Sequence, residues 1–239
     1  MNLEHRLTER FQKALTEFEL IADGDKILVG LSGGKDSLCL LELLAKRKRI
    51  FKPRFDVEAI HVRMENIEYE TDTSYLKEFS EAIDVKLHVV ETSFDASTDH
   101  RSSPCFLCSW NRRKKMFELA KELKFNKIAF GHHQDDIICT ALMNEFYQGR
   151  FGTMPVKMQM EKMPITIIRP LCLIREREIA EFAKMRGYKK QVKLCPYEKE
   201  SHRADISELF AKIEEQNTEA PYSIWNALAR DGKLTEGFS

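Results

Sequence analysis

A short apolar run, residues 26–31 (Lys-Ile-Leu-Val-Gly-Leu), leads directly into Ser32-Gly33-Gly34-Lys35-Asp36-Ser37, and Leu38, Leu40, Leu41, Leu43 and Leu44 follow with helical character. Strand, glycine-rich turn and helix in immediate succession form the first half of a βαβ unit, which constrains the fold more than any other feature of the chain. The alternation continues. Residues 55–62 predict a strand, 73–83 a helix, 85–90 a strand, 110–123 a helix, 127–130 a strand and 135–147 a helix; residues 165–168 add a strand and 176–185 a helix stopped by Gly187. Such a pattern predicts an α/β fold, a Rossmann-like parallel sheet with helices on both faces. Upstream, Leu3, Leu7, Phe11, Leu15, Phe18 and Ile21 recur at three- and four-residue steps. They predict an amphipathic helix that either leads into the domain or makes the subunit contact of a homodimer. The expected division is an N-terminal helix over 1–24, a catalytic domain over 25–197 and a helical tail over 198–239.

With 239 residues, 43% of them apolar, the chain can build a packed core. Thirty-eight Lys and Arg residues offset 38 acids, so a uniformly basic coat for wrapping nucleic acid is excluded. Base is nevertheless concentrated in three runs: Lys46, Arg47, Lys48, Arg49, Lys52 and Arg54; Arg112 to Lys115; and Lys184, Arg186, Lys189, Lys190 and Lys193. Each alone reads as a solvated helix end. Together, flanking the chemical motifs, they point toward an anionic polymer. No run approaches the roughly 18 apolar residues of a membrane span, and residues 1–10 lack the h-region of a signal or an Arg-rich transit pattern. The expectation is a cytoplasmic protein with no membrane contact.

In an open parallel sheet, ligands bind beyond the carboxyl ends of the strands. The 32–37 loop lies there, opening a helix, so its backbone amides and the helix N-terminus can surround an anion. A Walker A loop would need Gly at Val29 and Ser or Thr at Asp36, and fails at both. A carboxylate at Asp36 beside a triphosphate requires an intervening cation, which implies Mg²⁺. The bland alternative is a glycine turn with incidental polar residues. Gly131-His132-His133-Gln134-Asp135-Asp136 follows another strand and opens another helix on the same rim. It reads as a phosphohydrolase metal site, as a helix start capped by Asp135, or as a mixed element with Asp135 or Asp136 near Mg²⁺ or nucleotide and the histidines partly structural. Consecutive side chains diverge and no distal His or Asp cluster completes a two-metal centre, which favours the mixed element.

Of the six cysteines, Cys39, Cys139 and Cys172 sit in apolar surroundings and read as core. Cys105-Phe-Leu-Cys108 follows Pro104 and precedes a helix, a spacing shared by redox pairs, half zinc sites and iron-sulfur ligand pairs. Cys195 is the third cysteine in a polar setting. Three thiolates suit a [4Fe-4S] cluster with one open iron, or zinc with His100 or His202 as fourth ligand.

The 32–37 loop resembles the SGGxDS signature of the PP-loop ATP pyrophosphatase family, and Gly131, His132, Asp135 and Asp136 match that family's GHxxDD element. This resemblance implies an adenine nucleotide alpha hydrolase-like fold, ATP bound with Mg²⁺, and cleavage between the α and β phosphates. It also implies that Ser32, Gly33, Gly34, Asp36 and Ser37 line the phosphates while Lys35 adds a cation, with Lys35 and Asp36 catalytic. Taken in order with Cys105-Phe-Leu-Cys108-Ser, Arg112-Arg113, Arg169-Pro170-Leu171 and Cys195, the motifs resemble the tRNA 2-thiocytidine synthetase family over residues 25–203. That resemblance implies a [4Fe-4S] cluster on Cys105, Cys108 and Cys195. It further implies tRNA as substrate, adenylation of the C2 oxygen of an anticodon-loop cytidine at position 32, and replacement of that oxygen by sulfur from a donor such as a cysteine desulfurase. The chain departs from the pattern at Val192, where relatives commonly carry a cysteine, and at Pro196-Tyr197. Two other functions compete: another PP-loop tRNA-modifying enzyme with structural zinc, and an ATP- and RNA-binding redox sensor without catalysis. Asp36, Asp135 and Asp136 argue for catalysis, since nucleotide binding alone does not need carboxylates beside phosphates.

Overall fold

The computed structural model describes residues 2–69, 73–94, 104–194 and 202–235. Its elements run α1 (Leu3–Glu17), β1 (Asp25–Gly30), α2 (Lys35–Lys48), β2 (Phe55–Met64), β3 (Glu68–Tyr69), α3 (Ser74–Ala82), β4 (Lys86–Thr92) and α4 (Pro104–Glu122). They continue with β5 (Lys127–Ala129), α5 (Gln134–Gln148), β6 (Lys157–Gln159), β7 (Thr166–Ile168), α6 (Glu176–Arg186), β8 (Lys193–Leu194), α7 (His202–Gln216) and α8 (Ala220–Arg230).

Among the described residues the main sheet has the order β4-β2-β1-β5-β7-β6. All neighbours pair in parallel except β6, which lies antiparallel on β7. The expected α/β sheet is therefore present, with one reversed edge strand. Strand β1 reads as an apolar run because it is covered on both faces: Ile27, Leu28 and Val29 are fully buried. The chain builds outward from β1 through β2 to β4, then crosses back to place β5 on the other side of β1. The order reverses between β1 and β5, which is where an open sheet leaves a crevice for ligand. The loops that follow these two strands are 32–37 and 131–136.

Helix α1 begins at Asn2, whose side chain accepts the Glu4 amide at 3.2 Å. Its stripe of Leu3, Leu7, Phe11, Ala14 and Leu15 is buried in the main core with Leu43, Leu44 and Phe182. Each large side chain so buried stabilises the fold by about 1.5–3 kcal/mol. The apolar face is thus occupied within the chain, so α1 is the leading helix and does not offer that stripe to a second subunit. Gly149 and Gly187 end α5 and α6 in the left-handed conformation, at φ 62° and 67°.

Two expectations need correction. The helix carrying the cysteine pair starts at Pro104, so Cys105 and Cys108 lie inside the first turns of α4 rather than ahead of it. Proline at a first helical position loses no hydrogen bond and has the right φ, which explains the earlier start. The first basic run does not flank the chemistry. It ends α2, about 20 Å from the 32–37 loop at 1.5 Å per residue. Arg47 is buried there, donating to Gln12 and to the Lys52 carbonyl at 2.8 and 2.6 Å, and Lys46 pairs with Glu4 and Glu42. No helix among the described residues is long and apolar enough to cross a membrane.

Candidate active site

Loop 32–37 is tied by its own hydroxyls. Ser32 Oγ accepts the Gly34 amide at 3.3 Å and lies 3.2 Å from Ser37 Oγ, while the Ser37 hydroxyl donates to the Gly34 carbonyl at 2.9 Å. Gly34 is the N-cap of α2, and the first amides of that helix have no carbonyl partner within it. A ring of donors at the positive end of a helix therefore faces the crevice. Gly33 sits at φ +86°, and a Cβ there would stand 2.6 Å from Gln191 Cβ. Glycine is required on both counts. Gln191 belongs to a strap, residues 188–194, that crosses the loop: its amide donates to the Gly33 carbonyl at 3.3 Å, and Tyr188 donates to Glu42 at 2.6 Å.

Lys35 reaches Glu176 Oε1 at 2.9 Å and Asp36 at 3.2 Å. Burial lowers its pKa, but the Glu176 hydrogen bond and the two carboxylates outweigh that and hold it above the usual lysine value. The cation is held ready by the first residue of α6. Asp36 Oδ1 is buried and takes no well-aligned hydrogen bond, although the Lys35 ammonium stands 3.2 Å from it. A carboxylate oxygen left so, beside a ring of anion-binding amides, fits a divalent cation shared with phosphate.

The 131–136 loop meets this one backbone to backbone. A Cβ on Gly131 would lie 2.9 Å from the Asp36 carbonyl carbon and 3.0 Å from the Ser37 nitrogen. Both aspartates have partners within the chain. Asp135 accepts from Arg175 Nε at 2.8 Å and from the Glu176 amide at 2.6 Å, and Arg175 in turn forks onto Glu214 at 3.0 and 2.7 Å. Burial raises the pKa of Asp135, but these donors overcome it and hold the carboxyl below its ordinary range. Asp136 accepts the His133 amide at 3.0 Å in a reciprocal cap of α5 and pairs with Arg203. His132 lies 3.2 Å from Arg169 Nε. Desolvation and that guanidinium lower its pKa to about 4, so the imidazole is neutral at pH 7 and accepts at Nδ1. The element thus fastens α5, α6 and α7 around the loop that holds Asp36.

A cavity of about 380 Å³ opens beside the loop, between the end of β1 and the start of α4. It is lined by Gly30, Leu31 and Ser32 and by Cys105, Cys108, Arg112 and Arg113. Its floor is apolar, with Ile60, Val62, Met116 and Phe130. His61, whose Nδ1 lies 2.7 Å from the Leu31 carbonyl, lines it too. Cys105 is exposed and Cys108 half-buried, whereas Cys39, Cys139 and Cys172 are buried, as expected of core thiols. Burial pushes the Cys39 and Cys172 thiols well up and Cys139 up to about 11, which keeps them protonated and inert.

Two thiols one turn apart on the cavity wall fit a thiolate-held metal centre. Cys195 and His100 lie outside the described residues, as does the side chain of His202, and the described residues hold no group of three or more metal-ligating side chains. Leu194, the residue before Cys195, pairs with Glu68, next to Ile67 in the cavity wall. Sequence reasoning missed Glu176, Arg175, Glu214, His61 and Gln191. Their roles come from contacts between distant segments, and no motif spacing marks them.

A profile of the PP-loop domain family matches residues 3–207. The tRNA-cytidine(32) 2-sulfurtransferase of Paraburkholderia xenovorans is 33% identical over 230 residues, 94% of this chain and 68% of the relative. That of Bdellovibrio bacteriovorus is 36% identical over 181 residues, 74% of this chain and 69% of the relative. Among solved structures, the U34-tRNA thiolase NcsA from Methanococcus maripaludis with its [4Fe-4S] cluster superposes with a TM-score of 0.81 at 27% identity, covering 98% of this chain and 81% of that one. The loop after β1, the matching element after β5 and the likeness along nearly the whole length agree: the chain belongs to the PP-loop ATP pyrophosphatase superfamily and, within it, to the tRNA 2-thiocytidine synthetase family.

Proposed function

We propose that this chain is an ATP-dependent sulfurtransferase that converts cytidine 32 of a tRNA anticodon loop to 2-thiocytidine. The observation that supports this most is that one cavity is lined both by the end of β1 with Ser32 and by Cys105 and Cys108. ATP occupies the 32–37 loop, its β and γ phosphates on the amides that open α2 and on Lys35. Asp36 would hold Mg²⁺ through Oδ1, which lies beside the Lys35 ammonium and takes no well-aligned hydrogen bond. The C2 oxygen of the base attacks the α-phosphorus and pyrophosphate leaves; the amides, Lys35 and Mg²⁺ offset the charge that develops. Gly131, His132, Asp135 and Asp136 act by positioning: their contacts fix the Asp36 backbone and the start of α6, where Glu176 aims Lys35.

Cys105 and Cys108, with Cys195 as the third thiolate, would hold a [4Fe-4S] cluster. When bound, that cluster would supply sulfur at the sulfide level beside the base. Attack of hydrosulfide on C2 of the adenylated base expels AMP and completes the exchange of oxygen for sulfur. A cysteine desulfurase or similar donor supplies sulfur as a persulfide, which a dithiol reductant converts to hydrosulfide while being oxidised to its disulfide, and the reaction belongs in the cytoplasm, where tRNA is processed.

Mass spectrometry of tRNA nucleosides from cells with and without the gene tests the substrate. The expected result is loss of 2-thiocytidine on deletion and its return on complementation. Unchanged 2-thiocytidine with loss of 2-thiouridine would move the assignment to the base acted on by the archaeal thiolase.

A further inference from the structure

Phe106 and Trp110, one turn apart on α4, are 57% and 51% exposed. Large aromatic rings on a soluble surface call for an explanation, and these stand on the helix that carries the thiol pair, at the rim end where Cys105, Ser109, Arg112 and Arg113 turn into the cavity. Other α4 side chains pack: Met116 and Ala120 are buried in the cluster with Leu28, Ile60 and Ile128, and Leu107 and Cys108 rest on Met64, Ile67 and Phe94. Lys114, the next residue on the aromatic flank, holds its ammonium 5.4 Å from the Trp110 ring centroid. Arg112, Arg113, Lys114 and Lys115 put four positive charges in succession at this place in a chain of zero net charge.

We infer that this flank of α4 is a stacking platform for unpaired RNA bases, with Trp110 as its centre and the adjoining cations on the phosphates. The inference rests on the proposed function and names where the substrate loop docks. Rings offer every base a face, and cations beside them track the backbone, which is the chemistry of single-stranded nucleic-acid binding. A base displaced from the anticodon loop into the cavity leaves neighbours that have lost a stacking partner. Trp110, two residues beyond Cys108, can replace it. A duplex presents no such faces, so the platform selects loops over helices.

The test uses the full chain and an anticodon stem-loop RNA. Trp110 and the buried Trp225 are the two tryptophans, so emission lost on titration with the stem-loop reports on Trp110. Trp110→Ala is expected to weaken stem-loop binding about tenfold, or 1.4 kcal/mol, with Trp110→Phe retaining most of the affinity. The dependence of affinity on salt should be unchanged in Trp110→Ala and shallower by about one unit in Lys114→Ala. Duplex RNA should bind Trp110→Ala and the parent alike, and an unchanged thermal melt and ATP affinity confirm the variant's fold.

Stem-loop affinity unaffected by Trp110→Ala, or equal weakening toward duplex, overturns the platform. A parent dimer that Trp110→Ala turns into monomer by light scattering does so too, since a second copy is then the occupant. If the parent thiolates the stem-loop and Trp110→Ala binds it equally well, stacking fails and the proposed function stands. If the stem-loop quenches Trp110 with the expected affinity but is never thiolated, the platform stands and the sulfur chemistry fails.

Discussion

Cys105→Ala is expected to reduce 2-thiocytidine formation to background while ATP-dependent pyrophosphate release continues. The side chain is exposed at the cavity wall, so its removal forfeits little packing, and exposed substitutions usually change stability by no more than about 0.5 kcal/mol. Loss of sulfur insertion in a chain that melts like the parent therefore reports chemistry. Cys108→Ala should give the same product defect with a somewhat lower melting temperature, because that side chain packs partly on Met64, Ile67 and Phe94. Cys172→Ala is the complementary control. Its thiol is wholly buried, so the variant should lose stability and keep thiolation in the fraction that remains folded. Anaerobic product analysis by nucleoside mass spectrometry, alongside a pyrophosphate assay, separates these outcomes.

Gly131→Ala is expected to fail one step earlier. The new methyl carbon would press on the backbone of Asp36 and Ser37 at 2.9–3.0 Å, and backbone does not rotate away as a flexible side chain does. Relief requires the two loops to separate by a few tenths of an ångström, which displaces Asp36 and the first amides of α2 from their common centre. Misplacement of reacting groups on the 1 Å scale costs roughly 100-fold in rate, so adenylation should drop by about 10- to 100-fold. Overpacking adds about 1–3 kcal/mol of destabilisation. Pyrophosphate release and thiolation should fall together, which distinguishes this variant from Cys105→Ala. Release that continues at the parental rate would show that the loop after β5 does not set the geometry of the loop after β1.

Much of this arrangement was legible in the sequence because it rests on local signals. The run into Ser32-Gly33-Gly34 states strand, turn and helix within a dozen residues, and the buried Cys39, Cys139 and Cys172 are marked by apolar neighbours. The illegible parts rest on short or distant pairings. Strands β3 and β8 have two residues each, too few to show a period of two, yet they bring the chain before Cys195 alongside the cavity wall. The Lys35–Glu176 pair joins residues 141 apart, and Arg175 reaches Asp135 and Glu214 from 40 and 39 residues away. Spacing alone places Asp135 and Asp136 at the rim beside the phosphate loop, whereas their partners Arg175 and Arg203 come from distant segments that no motif marks.

Nucleotide and metal centre are expected to share one cavity, each facing the other. An anaerobic crystal structure with a non-hydrolysable ATP analogue measures this directly. It should show iron anomalous scattering at Cys105, Cys108 and Cys195, and the α-phosphate at Ser32 to Ser37 turned toward it across the space floored by Ile60 and Met116. Metal held away from Cys105 and Cys108, or a nucleotide bound outside the 32–37 loop, would contradict it.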